Sequence, residues 1–569
     1  MPETPTAAAA ALDALADRFW QFQRREFPMN ALLAGEPCDD PTMFREAPED
    51  AERRADWAGA QRAELAAVPI DGLDAQRRIT HRLLDRELDD LVQQAATLSH
   101  LRPWLLPVGP EFNTIYLANV TQLADAAAAQ AWAARLATLP AYLDDTVRSL
   151  GEGRARGLRH PRVVLEGARA NLGPVLGGPA ADSPWMAPFR RSPAAGSPAV
   201  QAAAAQALRT VEGALRPALQ RLADCLQHEL LPAARETVAC SDDLLGAAAY
   251  AHWTRHFTTD PTLAPDAVHA LGLSEVARLE GELAAVAAEA GYAGDLPGYR
   301  AFLAQDPRFI APSAQALREQ AEVIAKRIDG LLPAWFGRLP RISYGVQSIP
   351  AALSARIPPA YAQPSPADRS SAGVYWISSQ PDKAPAYLHV ALALHEAWPG
   401  HLMHIALMQE TEALPAFRRA NFTKYSAFVE GWALYCETLG VEMGVYRDVH
   451  DHYGRLDMEL WRACRLVVDT GLHAHGWSRE EAIDYMAARL TLSRPTIEAE
   501  VDRYIAMPAQ ALGYQVGNLR MRAVRRRAEQ RLGDRFELRA FHDAILGAGP
   551  LTLPVLDSVI DDWIAARSR

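Results

Sequence analysis

Apolar residues recur three and four apart through most of the chain, set among Ala, Leu, Arg and Glu. That period predicts helices over residues 7–26, 50–67, 72–98, 122–151, 196–237, 274–290 and 314–330. It resumes at 386–410, 421–443, 451–475, 478–490, 495–506, 513–532 and 553–567. Proline and glycine mark the joints, notably Pro174 to Pro198 and Pro350 to Pro366. The first of these is long and rich in Gly, Pro, Ala and Ser, and reads as a lid or a connection between lobes. One segment breaks the helical period. Gly373-Val374-Tyr375-Trp376-Ile377-Ser378 is β-branched and aromatic and predicts a short strand. No internal repeat is visible, and the fold class is mainly α.

Just beyond that strand stands His395-Glu396-Ala397-Trp398-Pro399-Gly400-His401, followed later by Glu430-Gly431-Trp432-Ala433-Leu434-Tyr435-Cys436-Glu437. Two imidazoles and a later carboxylate make a ligand set suited to zinc, which takes three protein ligands in catalytic sites and keeps one position for water. A Glu directly after the first His is where a zinc hydrolase keeps its general base. The spacing is unusual. Histidines four apart sit about 40° apart on a helix, whereas six apart gives about 120° of misalignment. Pro399 and Gly400 are expected to deform the turn with a bulge or kink and swing His401 back to the metal. A pair of His401 with His404 on one helical face is the alternative metal site, and it leaves His395 without a role.

These motifs resemble the large bacterial family labelled domain of unknown function (DUF) family 885, commonly grouped with the gluzincin-type zinc metallopeptidases. The resemblance covers most of the chain. It includes Leu271-Gly272-Leu273-Ser274-Glu275-Val276, Arg465 to His473, Arg503-Tyr504, Gln510-Ala511-Leu512-Gly513-Tyr514 and Phe541-His542-Asp543. It implies a two-lobed helical, metallopeptidase-like fold with a deep cleft and a short β element next to the metal helix. An N-terminal helical region, 1–340, would precede a catalytic region, 341–569, within one family domain. His395, His401 and Glu430 would be the zinc ligands and Glu396 the general base. His473, Arg503, Tyr504 and Tyr514 would face the cleft. Glu437, two helical turns past Glu430, suits an outer position that orients a ligand. The chain departs from the family pattern in Leu402-Met403-His404, where His-Leu-Gln is usual, and in Ala509, where Gly is typical. His404 is thereby expected at the site in place of an amide, where it would bear on substrate choice.

Composition adds constraints. The 569 residues carry a net charge of −11 and are 49% hydrophobic, which fits a globular protein with a large core and argues against a nucleic-acid partner. The densest basic run, Arg520 to Arg527, reads as a solvated helix face. Cys38, Cys225, Cys240, Cys436 and Cys464 are too scattered for a disulfide framework. Asp13 and Asp17 interrupt the N-terminal alanine run, no apolar stretch reaches the length of a membrane span, and the cytoplasm is the expected location without a membrane partner. Nothing in the pattern fixes an oligomeric state.

The expected function is zinc-dependent hydrolysis of peptide bonds in short peptides. The rival readings are a zinc enzyme acting on a small non-peptide amide and a non-catalytic binding protein. His473, with Tyr504 or Tyr514, is expected to steady the oxyanion. Arg503 is expected to hold a substrate carboxylate. Tyr375, on the strand before the metal helix, is expected at the substrate, whose extended backbone could add to that strand. His252 with His256, and the group Asp448, His450, Asp451 and His452, read as bland polar positions.

Overall fold

The computed structural model describes residues 6–28, 42, 45–354, 357–366, 371–420 and 424–568; Cys38 lies outside them. Among the described residues the protein is mainly helical with one three-stranded sheet. It divides into two compact units: residues 1–249 with 502–507, and residues 250–501 with 508–569.

In the first unit the helices start where their caps dictate. Asp74 accepts from the Arg77 amide, so the helix expected from residue 72 begins at Ala75 (Ala75–Ala96) after a short turn at Ile70–Gly72. The stretch 122–151 is two helices, Ala126–Leu136 and Leu139–Ala155, because Pro140 can open a helix but not continue one. From Pro198 the chain stays helical, with wide turns at Val211–Leu215 and Cys225–Leu230. The loop expected as a lid is packed instead. Pro174 ends up inside the helix Arg162–Leu176, and two turns lead to the fully buried Trp185. The Trp185 indole donates to Thr114 Oγ1 at 3.2 Å, and its carbonyl accepts from the Trp132 indole at 3.0 Å. All of these residues belong to the first unit, so the loop connects no lobes.

The second unit holds the sheet and the metal motif. The expected strand is β3 (Gly373–Ile377), which lies between β1 (Tyr344–Ser348), paired parallel, and β2 (Ala360–Gln363), paired antiparallel. With both edges taken, β3 cannot receive a substrate strand, and the strand-addition expectation fails for it. Its alternate residues point into the core, Tyr375 among them. The long helix Val449–Ala474 is the unit's axis, buried almost without break from Leu456 to His473. The helix Pro265–Glu289 lies along it so closely that a Cβ on Gly272 would stand 2.7 Å from Leu466 Cβ. That contact keeps residues 265–289 with the metal-bearing part of the chain, and the expected boundary at 340/341 falls inside the second unit.

Candidate metal centre

The six-residue spacing of the histidines is met by two helices. The first, His389–Glu396, stops at Ala397, whose ψ of −135° is far from helical. Trp398, Pro399 and Gly400 form a turn with a cis Trp398–Pro399 bond, and His401 opens the second helix, His401–Glu410. Gly400 is required for space rather than for a positive φ. Its φ is −71°, but a Cβ there would lie 1.9 Å from the His395 carbonyl oxygen and 2.4 Å from that of Leu394. The Trp432 indole, fully buried, donates to the Pro399 carbonyl at 3.0 Å and fixes the turn from outside.

Glu430 arrives from the helix Ser426–Glu442. That helix meets Gly513–Leu532 backbone to backbone, since a Cβ on Gly431 would come within 2.4 Å of the Gly517 carbonyl carbon. The motif Glu430-Gly431-Trp432 therefore combines a donor, a close helix contact and the pin on the histidine turn.

Glu430 Oε2 lies 3.5 Å from Nε2 of His395 and 3.5 Å from Nε2 of His401. The two rings stand almost perpendicular, at 87°, with centroids 4.8 Å apart. Among the described residues these three form a group able to hold a metal ion, with all donor atoms within 4.8 Å of one another. Ligands about 2.1 Å from a tetrahedral zinc stand about 3.4 Å from each other, so the 3.5 Å separations fit zinc and are long for hydrogen bonds. His395 Nδ1 donates to Glu437 Oε1 at 2.7 Å, which leaves its Nε2 lone pair directed at the ion's position. Burial works against a charged His395, yet the carboxylates of Glu430 and Glu437 push its pKa up to about 9. Burial likewise would raise Glu430, but the His401 and His395 rings hold it well below the carboxylate range. Both shifts describe a field that draws positive charge to this point.

Glu396, the last residue of the first helix, is partly exposed beside the donor set. Tyr375 is fully buried, its hydroxyl has no hydrogen-bond partner among the described residues, and burial together with the Glu396 charge raises its pKa. The Glu396 charge acts on it through space, and none of its surface is exposed for a substrate contact. His404 is also fully buried, against Phe428 at 5.5 Å, with neither ring nitrogen partnered among the described residues. Burial and the neighbouring His401 take its pKa down to about 3. It stands outside the donor group found among the described residues, so the His401–His404 site does not form there, and none of its surface is exposed.

The expected oxyanion donors divide. His473 has no exposed surface, its ring lies 5.2 Å from that of Tyr250, and Tyr250 in turn donates to Asp469 at 2.7 Å. A ring without exposed surface cannot reach a substrate oxygen in this conformation. Tyr504 is fully buried too, and Arg503 lies over its ring at 4.9 Å. Both belong to the 502–507 segment of the first unit, whereas the donor set belongs to the second. Tyr514 is partly exposed, with the Arg465 guanidinium over its ring at 4.3 Å.

Other motif residues turn out to hold the fold. His542 joins the Tyr435 hydroxyl (2.7 Å) to the Trp335 carbonyl (2.8 Å), and Asp543 accepts from the amides of Gly337 and Arg338. Asp469 accepts from the Ala509 amide at 2.9 Å, where Ala509 adopts a positive φ of 66°, the conformation glycine takes most easily. Sequence reasoning missed Arg462, a buried guanidinium on the axial helix within electrostatic range of Glu437 and Glu430. The sequence carries no signal that sets it apart from Arg455 and Arg465 on the same helix.

Two solved structures share this architecture. "The putative lipoprotein from Colwellia psychrerythraea" is 27% identical, with a TM-score of 0.91 over 99% of this chain and 100% of that one. A "putative lipoprotein of unknown function from Shewanella oneidensis" is 17% identical, with a TM-score of 0.73 over 97% and 99%, and shares the fold alone. The expected cytoplasmic location is corrected by this finding, because the lipoprotein description points to a membrane-anchored or extracytoplasmic place. In a lipoprotein a covalent lipid holds the protein at a membrane without a long apolar helix. No helix among the described residues is long and apolar enough to cross a membrane, and that fact does not bear on such an anchor. A sequence comparison with curated proteins finds no match. The profile of the family described as bacterial protein of unknown function (DUF885) matches residues 28–560, and the chain belongs to that family.

Proposed function

We propose that this protein is a zinc-dependent hydrolase that cleaves amide bonds of short peptides, with Glu396 as general base, in the manner of the gluzincin-type peptidases. The observation that carries the reading is the donor triangle: His395 Nε2 and His401 Nε2 each 3.5 Å from Glu430 Oε2, all three donors within 4.8 Å of one another, with His395 oriented by Glu437 and a partly exposed carboxylate next in sequence. Zinc bound there would polarise the scissile carbonyl and lower the pKa of water. Glu396 takes a proton from the attacking water as the carbon–oxygen bond forms. It delivers that proton to the leaving nitrogen as the carbon–nitrogen bond breaks. Glu437 keeps the His395 ring in its tautomer and orientation throughout. As part of this proposal, and in keeping with the neighbours' lipoprotein description, the reaction takes place outside the cytoplasm.

The test is metal analysis of the full chain combined with mass spectrometry of a short-peptide library before and after incubation. The expected result is about one zinc per chain and cleavage that a chelator stops and added zinc restores. A chain that binds no zinc, or whose cleavage ignores the chelator, overturns the reading.

A further inference from the structure

Arg462 sits on the helix Val449–Ala474, which packs against His389–Glu396, Ser426–Glu442 and Gly513–Leu532. Two of those three helices carry metal donors. The side chain is 5% exposed. Its hydrogen bonds stay within its own helix, from Nη1 to the Met458 carbonyl at 3.1 Å and to the Met458 sulfur at 3.2 Å, while its guanidinium lies over the Trp461 ring at 4.8 Å. Nε is buried with no partner among the described residues. Its helical neighbours differ. Arg455 pairs with Glu459 at 3.0 Å, and Arg465 pairs with Glu500 at 3.1 Å. No such ion pair to Arg462 is found among the described residues. Glu437 and Glu430 act on it through space without reaching ion-pair contact.

A guanidinium does not shed its proton to escape burial, and burying one without a counter-charge is costly. Its planar donor fork suits a carboxylate bound by two parallel hydrogen bonds. The carboxylates that act on it through space, Glu437 and Glu430, belong to the metal centre, and neither is bound to it. We propose that Arg462 receives a carboxylate carried by the substrate, so that the preferred substrates are short peptides with a free C-terminal carboxylate next to the scissile bond. The inference rests on the amide-hydrolase reading and narrows it to removal of a C-terminal residue or to cleavage of very short peptides. It also gives Arg462 the task expected of Arg503.

The experiment has two arms on the zinc-loaded full chain. In the first, a cleaved peptide is compared with its C-terminal amide on the wild type, Arg462→Met and Arg462→Lys, with melting curves as a check on folding. The wild type should favour the free acid by on the order of 10²-fold, mainly through KM, the scale of losing one partner of a buried charge pair. Arg462→Met should bring the acid-to-amide ratio to about one, and Arg462→Lys should keep part of it. In the second arm, binding of N-acetyl-leucine and of its amide is followed by calorimetry. The acid alone should bind, and only with Arg462 present.

The two arms separate the two readings. If no peptide is cleaved but the acid binds through Arg462, the carboxylate site stands and the peptidase reading falls. A wild type that cleaves acid and amide equally, an Arg462→Met variant that lowers both alike, or an acid that does not bind would overturn the proposal. The second of these outcomes would mean that Arg462 only balances the charge of Glu437.

Discussion

Two carboxylates of the second unit, Glu459 and Glu430, both lie in helices of its core, and both are held below the ordinary carboxylate range against the pull of burial. Their surroundings differ in kind. Glu459, with a side chain 3% exposed, is ringed by guanidinium groups: Arg278 at 2.8 Å, Arg455 at 3.0 Å and Arg522 at 3.1 Å. Every charged partner is a permanent cation, the Gln515 amide stands at 3.5 Å, the ionic contacts are hydrogen bonds, and nothing remains to be added. Glu430, with a side chain 20% exposed, meets two imidazoles at 3.5 Å, beyond good hydrogen bonding, and each imidazole is neutral in the state that ligates a metal. The first arrangement is complete by itself. The second has the spacing of a shell around something about 2.1 Å from each donor. The contrast teaches that separation and partner type, more than burial or a depressed pKa, distinguish a structural knot from a binding site.

The largest effects should come from breaking the Glu430 side of that contrast. Replacing His395, His401 or Glu430 by Ala should remove the single zinc, read by metal analysis, and abolish turnover while the Glu459 knot keeps the fold. Retention of full zinc by Glu430→Ala together with its loss in Glu437→Ala would exchange the roles of these two carboxylates. Next in size is Glu396→Gln. It should keep zinc and fold yet lose turnover by on the order of 10²–10⁴-fold, mainly in kcat, because the amide cannot accept a proton. Activity within tenfold of wild type would mean that another group takes the proton.

Of the two carboxylates only Glu430 is legible in the sequence. His395, Glu396, His401 and Glu430 stand out because the pairing of two histidines, a flanking glutamate and a Trp-Pro-Gly break is rare in an ordinary helix. The helical period gave the mainly α class and most of the elements, and it failed where single residues override it. Pro140 splits one expected helix, and Asp74 delays another. The loop Pro174–Pro198 looks like a lid in composition, but Trp185 makes it part of the core, and composition says nothing about which indole finds a pocket. Arg462 and Glu459 were invisible because their meaning comes from residues far along the chain. The functional reading of His473 came from its motif, and the motif is satisfied in the structure by packing beside Tyr250 and Asp469.

Breaking the other side of the contrast should cost stability and spare the metal. Glu459→Gln leaves Arg455 and Arg522 without a paired carboxylate, while Arg278 keeps Glu275 and Glu282, and should destabilise the protein by about 3–5 kcal/mol in urea unfolding at neutral pH. Its zinc content should remain at one per chain. Loss of zinc in this variant, with the fold intact, would mean that the two regions are coupled and the contrast is drawn too sharply. Glu437→Gln should weaken zinc by about 10–100-fold, the usual effect of losing a carboxylate that orients a ligating histidine, with less effect on unfolding. A loss beyond 10³-fold would place Glu437 on the metal itself.

The smallest effect is in pH, and it isolates the knot. The Glu459 carboxyl is lowered because Arg455, Arg278 and Arg522 outweigh its burial, so between its folded pKa and its unfolded pKa the unfolded chain binds the extra proton. Stability from this group is therefore fully present above the unfolded value, about 4.3 for a glutamate, and is lost as pH falls through the lower folded value. Glu459→Gln has no such proton to bind. The stability gap between wild type and Glu459→Gln should be widest and flat from about pH 5 to 8, and should narrow as pH drops below about 4. The comparison is made by urea titration of both proteins at each pH with a chelator present, so that proton competition at the histidine donors does not enter. A gap that instead widens on acidification would show that Glu459 is protonated in the folded protein, and the knot would then be a set of neutral hydrogen bonds rather than an ion cluster.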